Sequence, residues 1–204
     1  MCFNNNSKIE KVSKNSLHSY ISLMEHYSIK EFKKFIKFVD NIVYKSFFTF
    51  LYYAGVRPGE AMVLKFSDLN FKEIYISKTI DEHTNEFGVR EIGTPKTLSS
   101  VRNFKLDNFL YKDLLKLKQY CIEKYKDENY DYFIFGGIKP LVPTTINRHK
   151  IKACNKAELR PIQLREFRRS HATLLYNMNV PMQLIKDRLG HSDINTTMKY
   201  YVDL

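Results

Sequence analysis

The sequence predicts an α+β fold, mostly α-helical with a small antiparallel β-sheet, in one domain behind a short tether. Three observations predict it. Apolar residues recur every three to four positions over most of the chain, the spacing of one helix face. Short strand-like stretches gather between residues 74 and 105. Gly55, Pro58 and Gly190 fall at the edges of periodic stretches, where helices stop and start.

Residues 1–27 are polar and mixed in charge and are expected to form a tether, which leaves 28–204 as the folded domain. A first helical face carries Phe32, Phe35, Ile36, Val39, Ile42 and Val43. After a short break KSFFTFLYYAG continues apolar and ends at Gly55, a residue suited to the left-handed close of a helix. Pro58 suits the first turn of the next helix and puts Arg57 at its start. IYISK (74–78), VREIG (89–93) and VRNFK (101–105) read as strands, and TPKTLSS between the last two reads as a β-hairpin tip carrying Lys96. Leu110, Leu114, Leu117 and Cys121 form the next helical stripe, followed by FIFGG (133–137), a short apolar piece broken by glycines. Further helices are expected from Thr144 to about Ala157, from Leu164 to about Asn177, and from Met182 to Leu189, stopped by Gly190. Ser192 or Asp193 then caps a last short helix bearing Tyr200 and Tyr201.

Composition narrows the function. No apolar run reaches the roughly 18 residues of a membrane span. The opening MCFNNNSKIEKVSKNS has no apolar core of a secretion signal. Three cysteines without metal-ligand or disulfide spacing fit a reducing cytoplasm. Thirty-three Lys and Arg against 22 Asp and Glu give a net charge of +11, which calls for a polyanionic partner. The charge is uneven. Between Lys139 and His171 lie nine basic residues and two acids. A solvated surface accounts for the lysines, but arginine is the side chain that grips phosphate through two bonds. Double-stranded DNA is therefore the expected partner and a membrane is not, with Arg148, Lys150, Lys152 and Arg169 as candidate contacts.

The chain holds no phosphate-binding loop, no HExxH, no acidic pair for metals and no GxSxG, so neither metal nor cofactor is expected. Arg165 and Arg168 are three apart on a predicted helix and should share a face. With His191, Lys96 and the terminal tyrosines they suggest metal-free phosphoryl transfer. Arginines and a histidine stabilise the charge that builds on the non-bridging oxygens when a tyrosine oxygen attacks a phosphodiester. A lysine on a loop protonates the departing 5′ oxygen, and the covalent phosphotyrosine conserves the bond for rejoining.

The ordered motifs GVRPGEAMVL, TPKTLSSVR, REFRRSHATLL and LGHSDINTTMKYY resemble the tyrosine recombinase, or phage integrase, family over residues 28–204. The resemblance implies that family's catalytic-domain fold. It also implies roles for Arg57 and Arg168 as the two catalytic arginines, Lys96 as the β-hairpin lysine and His191 as the histidine that follows. Such enzymes cut one strand at a time, leave a 3′-phosphotyrosine and work as tetramers through a Holliday junction. Two features depart from the pattern. Arg165 stands where the family's His-x-x-Arg has histidine, and arginine donates but is no base. Residues 1–27 are also shorter than the helical core-binding domain that precedes this one in most relatives, and only Val202, Asp203 and Leu204 follow the tyrosines.

Adjacent helical residues point about 100° apart, so one tyrosine aims at the phosphate. Relatives often continue Tyr-x-His-Leu, a pattern Tyr201-Val202-Asp203-Leu204 fits better than the register starting at Tyr200. Tyr201 is the expected nucleophile and Tyr200 the alternative. His171 reads as a packing or capping residue, His149 as facing DNA or solvent, and Ser170, Thr196 and Thr197 as structural. Two other functions use the same residues: a type IB topoisomerase, and a degenerate DNA-binding regulator without catalysis.

Overall fold

The structure is a computed structural model and describes residues 26–84, 90–95 and 97–198. Helix α1 (Ile29–Lys37) opens on a reciprocal cap in which Ser28 accepts from the Glu31 amide and Glu31 accepts from the Ser28 amide. Helix α2 spans Ile42–Ala54. The single apolar face expected from Phe32 to Val43 is thus divided between two helices. The Asn41 side chain accepts from the amides of Val43 and Tyr44 and starts a second helix inside the periodic stretch. The apolar rhythm runs on across the break because both helices face the same core, where Phe32 stacks on Tyr52 at 3.9 Å and Phe48 on Phe167 at 5.5 Å. Tyr27 is already part of that core. It is fully buried, and its amide donates to Ser170 Oγ at 2.9 Å.

Gly55 closes α2 at φ +70°, and a Cβ there would lie 2.2 Å from the His171 ring, so both backbone and space call for glycine. Helix α3 (Pro58–Val63) follows with Arg57 at its N-cap. Five strands come next: β1 (Leu69–Asn70), β2 (Glu73–Ile76), β3 (Thr79–Thr84), β4 (Arg90–Gly93) and β5 (Arg102–Lys105). They form two antiparallel sheets, β1-β2-β5 and β3-β4.

This corrects the expected hairpin between 89–93 and 101–105. Strand β4 pairs with β3, Ile92 opposite Ile80, while β5 pairs with β2, Phe104 opposite Ile74. TPKTLSS therefore links two sheets. Its 3₁₀ turn at Leu98–Ser100 is held by the Ser100 amide on the Thr97 carbonyl at 3.1 Å. Alternation in VREIG shows that it is a strand and not which strand it meets.

The remaining helices are α4 (Asn108–Tyr125), α5 (Pro143–Ala157), α6 (Glu166–Asn177), α7 (Met182–Leu189) and α8 (Ile194–Met198). Leu110, Leu114, Leu117 and Cys121 are buried along α4, as their spacing predicts. FIFGG is a tight turn in which Phe133 pairs with both Gly137 and Lys65. Gly190 ends α7 at φ +68°. Ala172, Ile185 and Leu189 make a small second core that clamps α7 to α6 and so fixes the corner at Gly190. Among the described residues no helix is long and apolar enough to cross a membrane.

Candidate active site

Three remote pieces of chain meet where α3 begins. Arg57 Nη1 donates to Glu60 Oε1 at 2.8 Å and to Ser100 Oγ at 3.2 Å, and its Nη2 reaches the Gly190 carbonyl at 3.5 Å. Arg168 is 5% exposed and donates to the carbonyls of Gly55 at 3.0 Å and Leu189 at 2.5 Å. The two guanidinium groups are thus anchored on consecutive carbonyls of one corner, and the next residue is His191. The last turn of α7 presents those carbonyls because helix C-termini leave them without intrahelical partners.

Glu60 holds this arrangement. It is 1% exposed and accepts from Arg57 and, through both oxygens, from Arg102 at 3.1 and 2.9 Å. Burial alone would raise its pKa, but the hydrogen bonds and charge of Arg102, with the charges of Arg168 and Arg57, hold it below the usual carboxylate range. Arg102 also donates to the carbonyls of Arg188 at 3.0 Å and Ser100 at 2.9 Å. Three arginines face one carboxylate here, which makes the site a seat for an anion.

The two histidines are neutral for the same reasons. Burial, then the charges of Arg168, Arg57 and Arg102, lower the His191 pKa to about 3. His171 also falls to about 3, by burial and the Arg188 charge. Arg188 Nε donates to His171 Nε2 at 3.1 Å, so the ring proton is on Nδ1, facing the Tyr52 carbonyl at 3.0 Å. His171 is a packing residue between α2 and α7.

The other sequence-predicted residues divide. Arg165 and Arg168 differ in burial, although Arg165 keeps helical backbone angles (φ −64°, ψ −25°). Helix α6 begins only at Glu166, so Arg165 is its N-cap, 71% exposed and paired with Glu166 at 3.1 Å, while Arg168 points inward. Arg148 and Lys152 are exposed on α5, with Lys152 3.4 Å from Asp40, and Arg169 is half-buried. Lys150 departs from its expected place on the DNA-facing surface. It is 6% exposed, on the inner face of α5 with Ile146 and Cys154, and burial lowers its pKa. Residues two apart on a helix face opposite ways, so a basic run cannot all face outward. His149 stacks on Tyr44 at 3.8 Å. Lys96, Tyr200 and Tyr201 lie outside the described residues.

Glu60, Ser100, Arg102 and Thr197 were not picked out from sequence. Glu60 had a signal, a carboxylate three residues after Arg57 in a helix's first turn. Arg102 had none, since its partner is 42 residues away. Thr197, read as structural, is buried with its Oγ1 2.8 Å from His191 Nδ1.

Comparison with known proteins bears on the family and the fold. The profile of the phage integrase family matches residues 23–204. The ICEBs1 integrase of Bacillus subtilis (strain 168) is 32% identical over 187 residues, which cover 87% of this chain and 50% of that protein. The integrase of Staphylococcus phage L54a is 30% identical over 156 residues, covering 72% of this chain and 44% of that one. The chain spans about half the length of these curated relatives. Among solved structures, the Tn1549 transposon integrase in complex with transposon right end DNA superposes with a TM-score of 0.71 at 22% identity, over 87% of this chain and 61% of that one. The XerA recombinase does so with a TM-score of 0.65 at 20% identity, over 86% and 57%. The fold is the tyrosine recombinase catalytic domain, and with the family profile matched along nearly its whole length the chain belongs to the phage integrase family.

Proposed function

We propose that this chain is the strand-transfer domain of a site-specific recombinase that integrates or excises a mobile element. It acts on double-stranded DNA in the cytoplasm and works as a homotetramer. The observation that carries the reading is the anchoring of Arg57 and Arg168 on the neighbouring carbonyls of Leu189 and Gly190, beside His191. A rigid pair of guanidinium groups next to a neutral histidine is preorganised for a phosphate whose charge grows during reaction. That its relatives include integrases of a phage and of Bacillus subtilis supports the biological role.

In this mechanism the Tyr201 oxygen attacks phosphorus and the bond to the 5′ oxygen breaks. Lys96 gives that oxygen a proton, and the phenolic proton passes to solvent. Arg57, Arg168 and His191 hold the non-bridging oxygens, with Arg165 adding a donor from the exposed start of α6. Rejoining runs the same steps backward from a 5′-hydroxyl. No cofactor takes part.

A suicide duplex whose nicked strand diffuses away traps the intermediate, and peptide mass spectrometry then locates the phosphate. We expect it on Tyr201. An adduct on Tyr200 would transfer the nucleophile's role, and no adduct on either would leave a DNA-binding protein without catalysis.

DNA affinity should fall steeply with salt, by about 0.9 log unit per log unit of salt for each phosphate contact. Replacing the exposed Arg148 and Lys152 by alanine should flatten that slope, measured by fluorescence anisotropy, whereas Lys150→Ala should leave it as it is. An unchanged slope in the double variant would remove α5 from the DNA interface.

A further inference from the structure

We propose that Thr197 is a positioning residue whose hydroxyl donates to His191 Nδ1 and thereby keeps the imidazole proton on Nε2. The inference rests on the reading that His191 serves strand cleavage, and it deepens that reading by assigning the histidine's protonation and what enforces it.

The geometry is short and closed. Thr197 Oγ1 lies 2.8 Å from His191 Nδ1, with Thr197 fully buried and His191 nearly so. Among the described residues the Thr197 hydroxyl has no other hydrogen-bond partner. Helical serines and threonines commonly turn their hydroxyl back to the carbonyl four residues earlier. Ser170 does so, donating to Glu166 at 2.8 Å. Thr197 is instead directed at the ring.

Two proton arrangements satisfy the contact. If Nδ1 carried the proton, the hydroxyl would accept it and its own proton would be a buried donor without an acceptor, which native interiors avoid. If the hydroxyl donates, both groups are satisfied and the ring proton sits on Nε2. Adding a second proton is opposed by the charges of Arg168, Arg57 and Arg102, against the single carboxylate of Glu60. His171 is the internal contrast, because a carbonyl on one side and an arginine donor on the other give it the opposite tautomer.

Two consequences follow for the reaction. With Nε2 protonated, His191 hydrogen-bonds to developing charge and does not deprotonate the nucleophile. Thr197 also belongs to α8, whose last residue is two positions before Tyr200. Seating that helix against His191 therefore also sets the tautomer.

The test uses the full chain labelled with ¹⁵N. Long-range ¹H–¹⁵N correlation reads the His191 tautomer, with the resonance assigned from its loss in His191→Gln. The parent and Thr197→Ser should show Nε2–H. Thr197→Val, which keeps the shape and removes the hydroxyl, should admit the Nδ1–H form. It should also cleave a suicide duplex about tenfold more slowly at unchanged DNA affinity, the lower end of what losing a histidine's orienting partner costs. An Nδ1–H tautomer in the parent overturns the proposal even if the valine variant fails to fold. Retention of Nε2–H in a folded Thr197→Val overturns it whatever the cleavage rate. If the tautomer responds as stated while the parent forms no covalent adduct, Thr197 keeps its role and the recombinase reading falls instead.

Discussion

Replacing Glu60 by alanine is expected to destabilise the protein by about 3–5 kcal/mol, the usual consequence of removing one partner from a buried ion pair. The carboxylate is the acceptor for both Arg57 and Arg102, and without it the buried Arg102 guanidinium keeps its charge with only carbonyls beside it. Chemical denaturation should show a lower midpoint with little change in slope, and the melting temperature should fall by about 10 °C. A loss under about 1 kcal/mol would mean that water reaches Arg102 and that Glu60 is not the keystone of the site.

The same replacement has a pH signature. Glu60 is held below the ordinary carboxylate range in the folded state, so its stabilising contribution is complete above the unfolded carboxyl's pKa of about 4.3. That contribution fades as pH falls through the lower folded value. The stability difference between parent and Glu60→Ala should therefore be level from neutral pH to about 5 and shrink in stronger acid.

Arg168→Lys is expected to slow covalent-complex formation by about 10²–10³-fold, the scale of one lost oxyanion donor, with little change in DNA affinity. Arg168 reaches the carbonyls of Gly55 and Leu189 with separate nitrogens, and this fixes the plane of its guanidinium before DNA arrives. Lysine brings the same charge as a single point and cannot span both carbonyls while facing a phosphate. Single-turnover cleavage at saturating protein separates this loss from weaker binding. A variant that cleaves at the parental rate while remaining folded would reduce Arg168 to a strut between α2 and α7.

Local pattern in the sequence was enough for the helical scaffold and for the family to which the chain belongs. Leu110 to Cys121 lies buried along one helix, Gly55 and Gly190 close their helices left-handed, and Pro58 starts α3 behind Arg57. These features are local: periodicity, capping and backbone sterics act within a turn or two, so a reader of the chain has all the interacting parts in view. Motif order likewise brought Arg57, Arg168 and His191 forward as partners. Tertiary structure alone decided which strand β4 joins, because alternation marks a strand's faces and not its neighbour. It left Arg165 exposed at the N-cap of α6 and buried Arg168 against the carbonyls of Gly55 and Leu189. It sank Lys150 into the core, where the faces of α5 and not the charge count decide exposure. It also brought Arg102 to Glu60 and Thr197 to His191. Such contacts join side chains that meet only after the backbone has folded, and their strength comes from burial that no stretch of sequence possesses on its own.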